Sequence, residues 1–266
     1  MSTARNGWEL QISEQQLARL THDMDQAHRE TLPAMRAGAV DLAEEIRTAE
    51  RTNLGRRRFL LGAGGVAAAM ALAACSSSDK TSDASASPSS SGAASGSGQY
   101  TGDLKVVALA TALENQAVGA YQATLAAAKA GKLGTVPPAV ATFVTTAMAQ
   151  HADHAKAWNA VLTGAGKPAI TNVPLSNQAD VTAALGKATD VGSVAKLALQ
   201  LEDQAAQTYL FATYNVISPA GISTAATIAP VEAMHAAILH YVLGQYPVPD
   251  DFLPVDKAAS TTLLTV

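Results

Sequence analysis

From Leu104 onward, the apolar positions recur every three or four residues, which is the period of a helix lying on a core. Four such segments stand out, at about 104–130, 138–163, 192–215 and 222–245. Residues that end helices separate them. Gly131, Gly134 and Pro137-Pro138 close the first, and Gly164, Gly166 and Pro168 the second. Ser218-Pro219-Ala220-Gly221 divides the third from the fourth, and Gly244 and Pro247 close the last. The second and third are joined by a long connection, 164–191, with room for one short helix at 179–188. Strand-like alternation is missing, and Ala stands where strands would carry Val and Ile. The pattern predicts an all-α domain over 101–246, a four-helix bundle of two hairpins joined by a long crossover, followed by a C-terminal tail at 247–266.

Upstream of the bundle the pattern changes three times. Residues 76–99 hold eleven Ser among 24 positions, too little apolar surface to offset the entropy of ordering, and 76–100 reads as a disordered tether. A random coil of this length reaches roughly 25–30 Å. Before it runs a sixteen-residue apolar stretch, Phe59 to Ala74, flanked by Arg56, Arg57 and Arg58 and ending in Leu72-Ala73-Ala74-Cys75. Rich in Gly and Ala, it is short for a membrane span but suits the apolar core of a signal peptide, so 59–75 is assigned to that role. The alternative is an uncleaved signal anchor, which leaves the domain on the same side of the membrane. Residues 1–58 then form a long polar leader, helical in part at Glu14 to Leu20 and Val40 to Ala49. They receive no function, and an alternative reading places the true start at Met24 or Met35.

The most informative feature is an internal repeat. Residues 113–121 read LENQAVGAY and residues 201–209 read LEDQAAQTY, identical at five of nine positions. Each copy is followed by a second helix with a pair spaced by three. The first pair is His151 and His154, the second Glu232 and His235. The bundle is therefore two hairpins of similar design.

Composition sharpens the chemistry. All nine Arg lie between Arg5 and Arg58, and beyond residue 75 nine Lys face thirteen Asp and Glu. No basic stripe for nucleic acid exists there. The single Cys, Cys75, excludes an internal disulfide and a thiolate metal site. Beyond residue 75 only three Glu occur, Glu114, Glu202 and Glu232, all at repeat positions, and three of the four His complete the pairs. The helix faces around Glu114 (Val107, Ala110, Ala117, Val118, Tyr121) and Glu202 (Val194, Leu199, Ala205, Tyr209) are apolar, which turns both carboxylates inward. Buried carboxylates and imidazoles together are a donor set for a divalent cation. The bland reading is a metal-free polar network. Tyr121 and Tyr209, each seven residues after a Glu on the same face, could hydrogen-bond a ligand but read more simply as core. Met148, Trp158 and Met234 read as packing, and His240 as a satisfied core or surface residue.

At these positions the chain resembles the ferritin-like di-iron carboxylate family, over roughly 101–246. That family takes one Glu from each of two helices and Glu-x-x-His from each of the other two. The resemblance implies terminal carboxylates at Glu114 and Glu202, a bridging Glu232, and terminal imidazoles at His154 and His235. His151 departs from it, standing where a second bridging Glu is expected. The Arg56-Arg57-Arg58-Phe59-Leu60 run resembles a twin-arginine signal, and Leu-Ala-Ala-Cys resembles a bacterial lipobox with Cys75 as the lipidated residue. The expected protein is exported, held to the outer face of the membrane by its lipid, and binds one or two iron or manganese ions for redox or oxidative-stress chemistry. The alternative is a structural or binding lipoprotein with a degenerate site. A closed storage shell fits poorly with a lipid on every subunit. No phosphate loop or nucleophile–base arrangement points to a hydrolase.

Overall fold

Five long helices account for most of the computed structural model, which describes residues 9–71, 99–248 and 254–266 and places side chains outside 53–71. Cys75 and most of the tether lie outside the described residues. So do the side chains of Arg56 and Arg57. Helix α1 spans Glu14–Ala71, α2 Asp103–Lys129, α3 Pro138–Gly164, α4 Gln178–Gly186, α5 Val191–Asn215 and α6 Pro219–Val242. Among the described residues there is no strand, only an isolated bridge between Leu175 and Leu264.

Helices α2, α3, α5 and α6 are the four segments expected from periodicity, and α4 is the short helix of the crossover. Pro138 and Pro219 each open a helix at its first turn, where a missing N–H costs nothing. The expected start of α6 at 222 was late for this reason. Gly131, Gly166 and Gly244 end their helices with φ near +70°, a conformation that an L side chain resists. The α2–α3 and α5–α6 pairs form the two hairpins, and the crossover folds back on α2. There Asn115 Nδ2 donates to the carbonyls of Ile170 and Asn172. The tail is docked as well. The backbone N–H of Ala259 donates to Thr208 Oγ1, and that of Thr265 to the carbonyl of Pro174.

The main correction concerns the leader. Its two expected helical pieces are one continuous helix, and α1 packs along both α3 and α6. Leu17, Met24, Met35, Ala39 and Leu42 are among the most buried side chains of the molecule. Each large one contributes roughly 1.5–3 kcal/mol of apolar transfer free energy. Close contact is built in from both sides. A Cβ on Gly38 would meet Thr224 Oγ1 at 2.5 Å, and one on Gly164 would meet Ala43 Cβ at 2.8 Å. Neither α3 nor α6 has a capping side chain of its own. Instead α1 supplies both caps: Glu14 accepts from the backbone N–H of Ala139, and Glu45 from the N–H of Ala220 and the hydroxyl of Ser218. The fold is a four-helix bundle of two hairpins joined by a long crossover, with a fifth helix against α3 and α6.

The apolar interior falls into two clusters. One gathers Met35, Leu42, Leu104, Val107, Trp158, Val161, Tyr209 and Ile228, the other Leu17, Met24, Tyr121, Phe143, Val144, Leu199 and Leu239. Every long helix crosses from one cluster to the other at mid-height. The polar residues sit at that crossing.

Candidate metal centre

Glu114, His151, His154, Glu202, Glu232 and His235 all lie in the interior, none more than 2% exposed. They form two four-residue groups. Glu114, His151, His154 and Glu232 make one, and His151, Glu202, Glu232 and His235 the other, with donor atoms in each within 4.8 Å of one another. Bonds of about 2.0–2.2 Å allow donors up to roughly 4.2 Å apart around one ion, so a small adjustment closes either group on a cation. His151 and Glu232 belong to both groups, and occupy the shared middle.

Within this cluster, carboxylates face imidazoles at close range. His151 Nδ1 lies 2.7 Å from Glu114 Oε2, and its Nε2 3.1 Å from Glu202 Oε1. His235 Nδ1 lies 3.2 Å from Glu202 Oε2 and 3.3 Å from Glu232 Oε2. His154 Nδ1 stands 2.8 Å from Glu232 Oε1, yet neither atom has an aligned hydrogen bond. Burial alone would drive every group neutral. The opposite charges overcome it. Against burial, the Glu114 carboxyl is drawn down to about 2 by the His154 charge and by His151. Likewise His154 rises to about 9 beside Glu114 and Glu232, and His151 and His235 are also raised. Glu202 falls well below its ordinary value beside His151 and His235. Without metal, the three imidazoles are thus drawn toward their charged form by the carboxylates they face.

The two tyrosines do bond candidate ligands, but across the hairpins, which sequence reading missed. Tyr121 of the first hairpin donates its hydroxyl to Glu202 of the second, and Tyr209 of the second donates to Glu114 of the first. Burial, and then the neighbouring carboxylate charges, push both phenols well above 10, so they remain donors. Trp158 Nε1 donates in turn to the Tyr209 hydroxyl at 2.8 Å. All three pack in the apolar clusters as expected and, in addition, hold the carboxylates, Trp158 through Tyr209. The signal was present in the spacing, since Tyr seven residues after Glu shares its face. Met148 and Met234 do pack on the apolar cluster, and His240 is satisfied by Gln245 at 2.7 Å.

Two further residues were not foreseen. Gln150 Oε1 accepts from His235 Nε2 at 2.8 Å, while its Nε2 donates to Asp25 of α1 at 3.3 Å. His28 of α1 is 3% exposed and lies against His154, with ring centroids 5.1 Å apart. Burial, and then the nearby His154 charge, lower it below its ordinary value and favour the neutral ring.

The donor set fits a divalent cation, being all oxygen and nitrogen, anionic where a cation needs it and shielded from solvent. The comparisons agree in kind. A family model described as a ferritin-like domain matches residues 102–245. No curated protein and no solved structure matches the chain. With the repeat, the crossover and the buried Glu and His residues all inside a matched span of more than half its length, the chain belongs to the ferritin-like family.

Proposed function

We propose that the protein is an exported, membrane-tethered metal protein that holds iron or manganese in the bundle core for redox or oxidative-stress chemistry. The observation that carries the metal reading is the convergence of six buried donors into two groups sharing His151 and Glu232. Glu114 and His154 would serve one position, Glu202 and His235 the other. Bound there, such an ion supplies one-electron chemistry toward oxygen or peroxide. The chain itself contributes a dry pocket, and phenols that steady the carboxylates. A narrow crevice between α2 and α5, lined by Gln116, Ala117, Gln204 and Ala205, has Glu114 and His151 at its floor and suits a small reactant.

Charge decides the expected stoichiometry. Two divalent ions with three carboxylates and neutral imidazoles carry a formal excess of about +1, which a low-dielectric core opposes. One ion together with one retained imidazolium is balanced. Elemental analysis after dialysis against a weak chelator is expected to give nearer one ion per chain than two. His151→Glu, which adds a fourth carboxylate, should raise the value toward two. Two tight ions in the unaltered protein would refute the charge argument, and none would refute the metal reading. The second reading, a structural bundle with a metal-free polar network, draws on the balanced pairing of imidazolium and carboxylate, and the same assay decides between the two.

Export rests on the Arg56-Arg57 pair, the apolar stretch and Cys75. A cut before Cys75 removes α1, so the packed α1 belongs to the chain before the cut. A twin-arginine route accommodates this, because it carries domains already folded. Cys75→Ser is expected to abolish lipidation and move the domain out of the membrane fraction. A variant that stays bound after a high-salt wash would rule out the lipid anchor.

A further inference from the structure

We propose that α1 forms the outer shell of the metal centre, with His28 positioning the His154 imidazole and Asp25, through Gln150, positioning that of His235. This rests on the metal reading above and concerns the chain before any cut at Cys75, in which α1 is still attached; His28 and Asp25 lie outside the matched ferritin-like span of 102–245.

The placement is systematic. On α2, α3, α5 and α6 the candidate ligands lie where the helix passes from one apolar cluster to the other. The same crossing on α1 falls between Met24, in one cluster, and Met35, in the other, and His28 occupies it. An α1 that merely covered the bundle would carry an apolar residue at this level. His28 instead buries two ring nitrogens, neither with a hydrogen-bond partner, and Asp153 Oδ2 is 3.6 Å from Nε2, too far for one. Such buried unpaired groups are costly and call for an explanation.

The metal supplies it. A histidine that ligates through one nitrogen ordinarily directs its other N–H to an acceptor, which fixes the tautomer and ring orientation. His235 already does so, with Nδ1 toward Glu202 and Glu232 and Nε2 on Gln150, which Asp25 holds. His154 turns Nδ1 to Glu114 and Glu232, leaving Nε2 without a partner. His151 is engaged with Glu114 and Glu202. The ring nearest His154 is that of His28, and a neutral imidazole offers one acceptor nitrogen. His28 is therefore a positioning residue, acting through His154.

The test uses the full chain and cobalt(II), whose visible absorption reports ligand geometry and whose affinity is read by chelator competition. His28→Ala is expected to weaken cobalt(II) roughly 10–100-fold and alter its spectrum, the usual effect of losing an outer partner. His28→Gln, which restores an acceptor, should recover most of the affinity. Met24→Ala, one turn away, loosens the same helix without removing a polar group and should leave affinity within about twofold. Equal losses in Met24→Ala and His28→Ala would overturn the proposal, since α1 would then act only as a cover. Should His28→Ala fail to fold, the half-exposed Asp25→Ala decides through the His235 arm: a several-fold loss supports the proposal and unchanged affinity overturns it. If the unaltered chain binds cobalt(II) and all variants match it, this inference alone falls. If the unaltered chain binds none, the metal reading falls and takes the inference with it.

Discussion

Glu232→Gln is expected to abolish tight metal binding while leaving the helices in place. Glu232 is fully buried and is the one carboxylate common to both four-residue groups, so its loss strikes both positions at once. In the metal-free protein it faces His154 at 2.8 Å, His235 at 3.3 Å and His151 at 3.6 Å. The Gln amide keeps the shape but removes the charge, leaving three imidazoles against two carboxylates. Breaking a buried pair in this way costs on the order of 3–5 kcal/mol of stability, and a loss of binding free energy of the same size is on the order of 10²–10⁴-fold in affinity. Chelator competition should register that weakening, and a melting curve of the metal-free variant should show a lower Tm at pH 6. Loss of an exposed carboxylate remote from the centre, such as Asp180 of α4, should do neither. Wild-type affinity in Glu232→Gln would remove this residue from the centre.

The second large effect is an opposition between stability and metal binding as pH changes. His154 is raised from 6.5 to about 9 in the folded protein, and His151 and His235 move the same way. A raised base contributes stability that is fully present below its unfolded value, and that is lost as pH climbs through its folded value. For His154 alone this rise corresponds to roughly 3 kcal/mol. Glu114, lowered to about 2, contributes in the other direction: its stability is present above 4.5 and fades as pH falls through about 2. The metal-free protein should therefore be most stable between about pH 5 and 6.5, and soften steadily from pH 7 to 9. Metal affinity should run the opposite way over that interval, because an imidazolium must release its proton before it can ligate. Melting curves of the metal-free chain from pH 5 to 9, beside calorimetric titrations in buffers of different ionisation enthalpy, measure both trends and the protons released. A metal-free Tm that rises between pH 7 and 9, or binding without proton release, would contradict the imidazolium picture.

Much of the bundle was legible because its signals are local. Helix period, Pro at helix starts and Gly at helix ends act over one or two turns, and they located α2 to α6 to within a few residues. The ligand positions were legible for a related reason. Glu is almost missing from the surface beyond residue 75, so the three that remain, at matched points of a repeat, have no solvated role to explain them.

The leader was misread, although the pattern was there. Leu17, Thr21, Met24, His28, Met35, Ala39 and Leu42 follow spacings of three, four and seven, a seam for packing against other helices, and all are buried. The seam is diluted by Thr and His, and it runs into an Arg-rich flank and an apolar stretch whose signal-like composition dominated the reading. Whether such a seam finds a partner depends on an unpaired surface elsewhere. Here that surface is the side of α3 and α6, distant in sequence.

What the sequence by itself determined is the set of bundle elements and the inventory of chemistry: four long helices' worth of apolar period beyond residue 100, one repeat, three carboxylates and three imidazoles reserved for the interior. Only the tertiary structure decided how they meet. The crossed hydrogen bonds from Tyr121 to Glu202 and from Tyr209 to Glu114 require the two hairpins to face each other at a particular height, a long-range register that no local spacing encodes. The same holds for His28 beside His154 and for Asp25 on Gln150. Helix propensity is set by neighbours a few residues away. The partners of a buried polar group are set by packing, which alone settles which distant side chains share one dry interior.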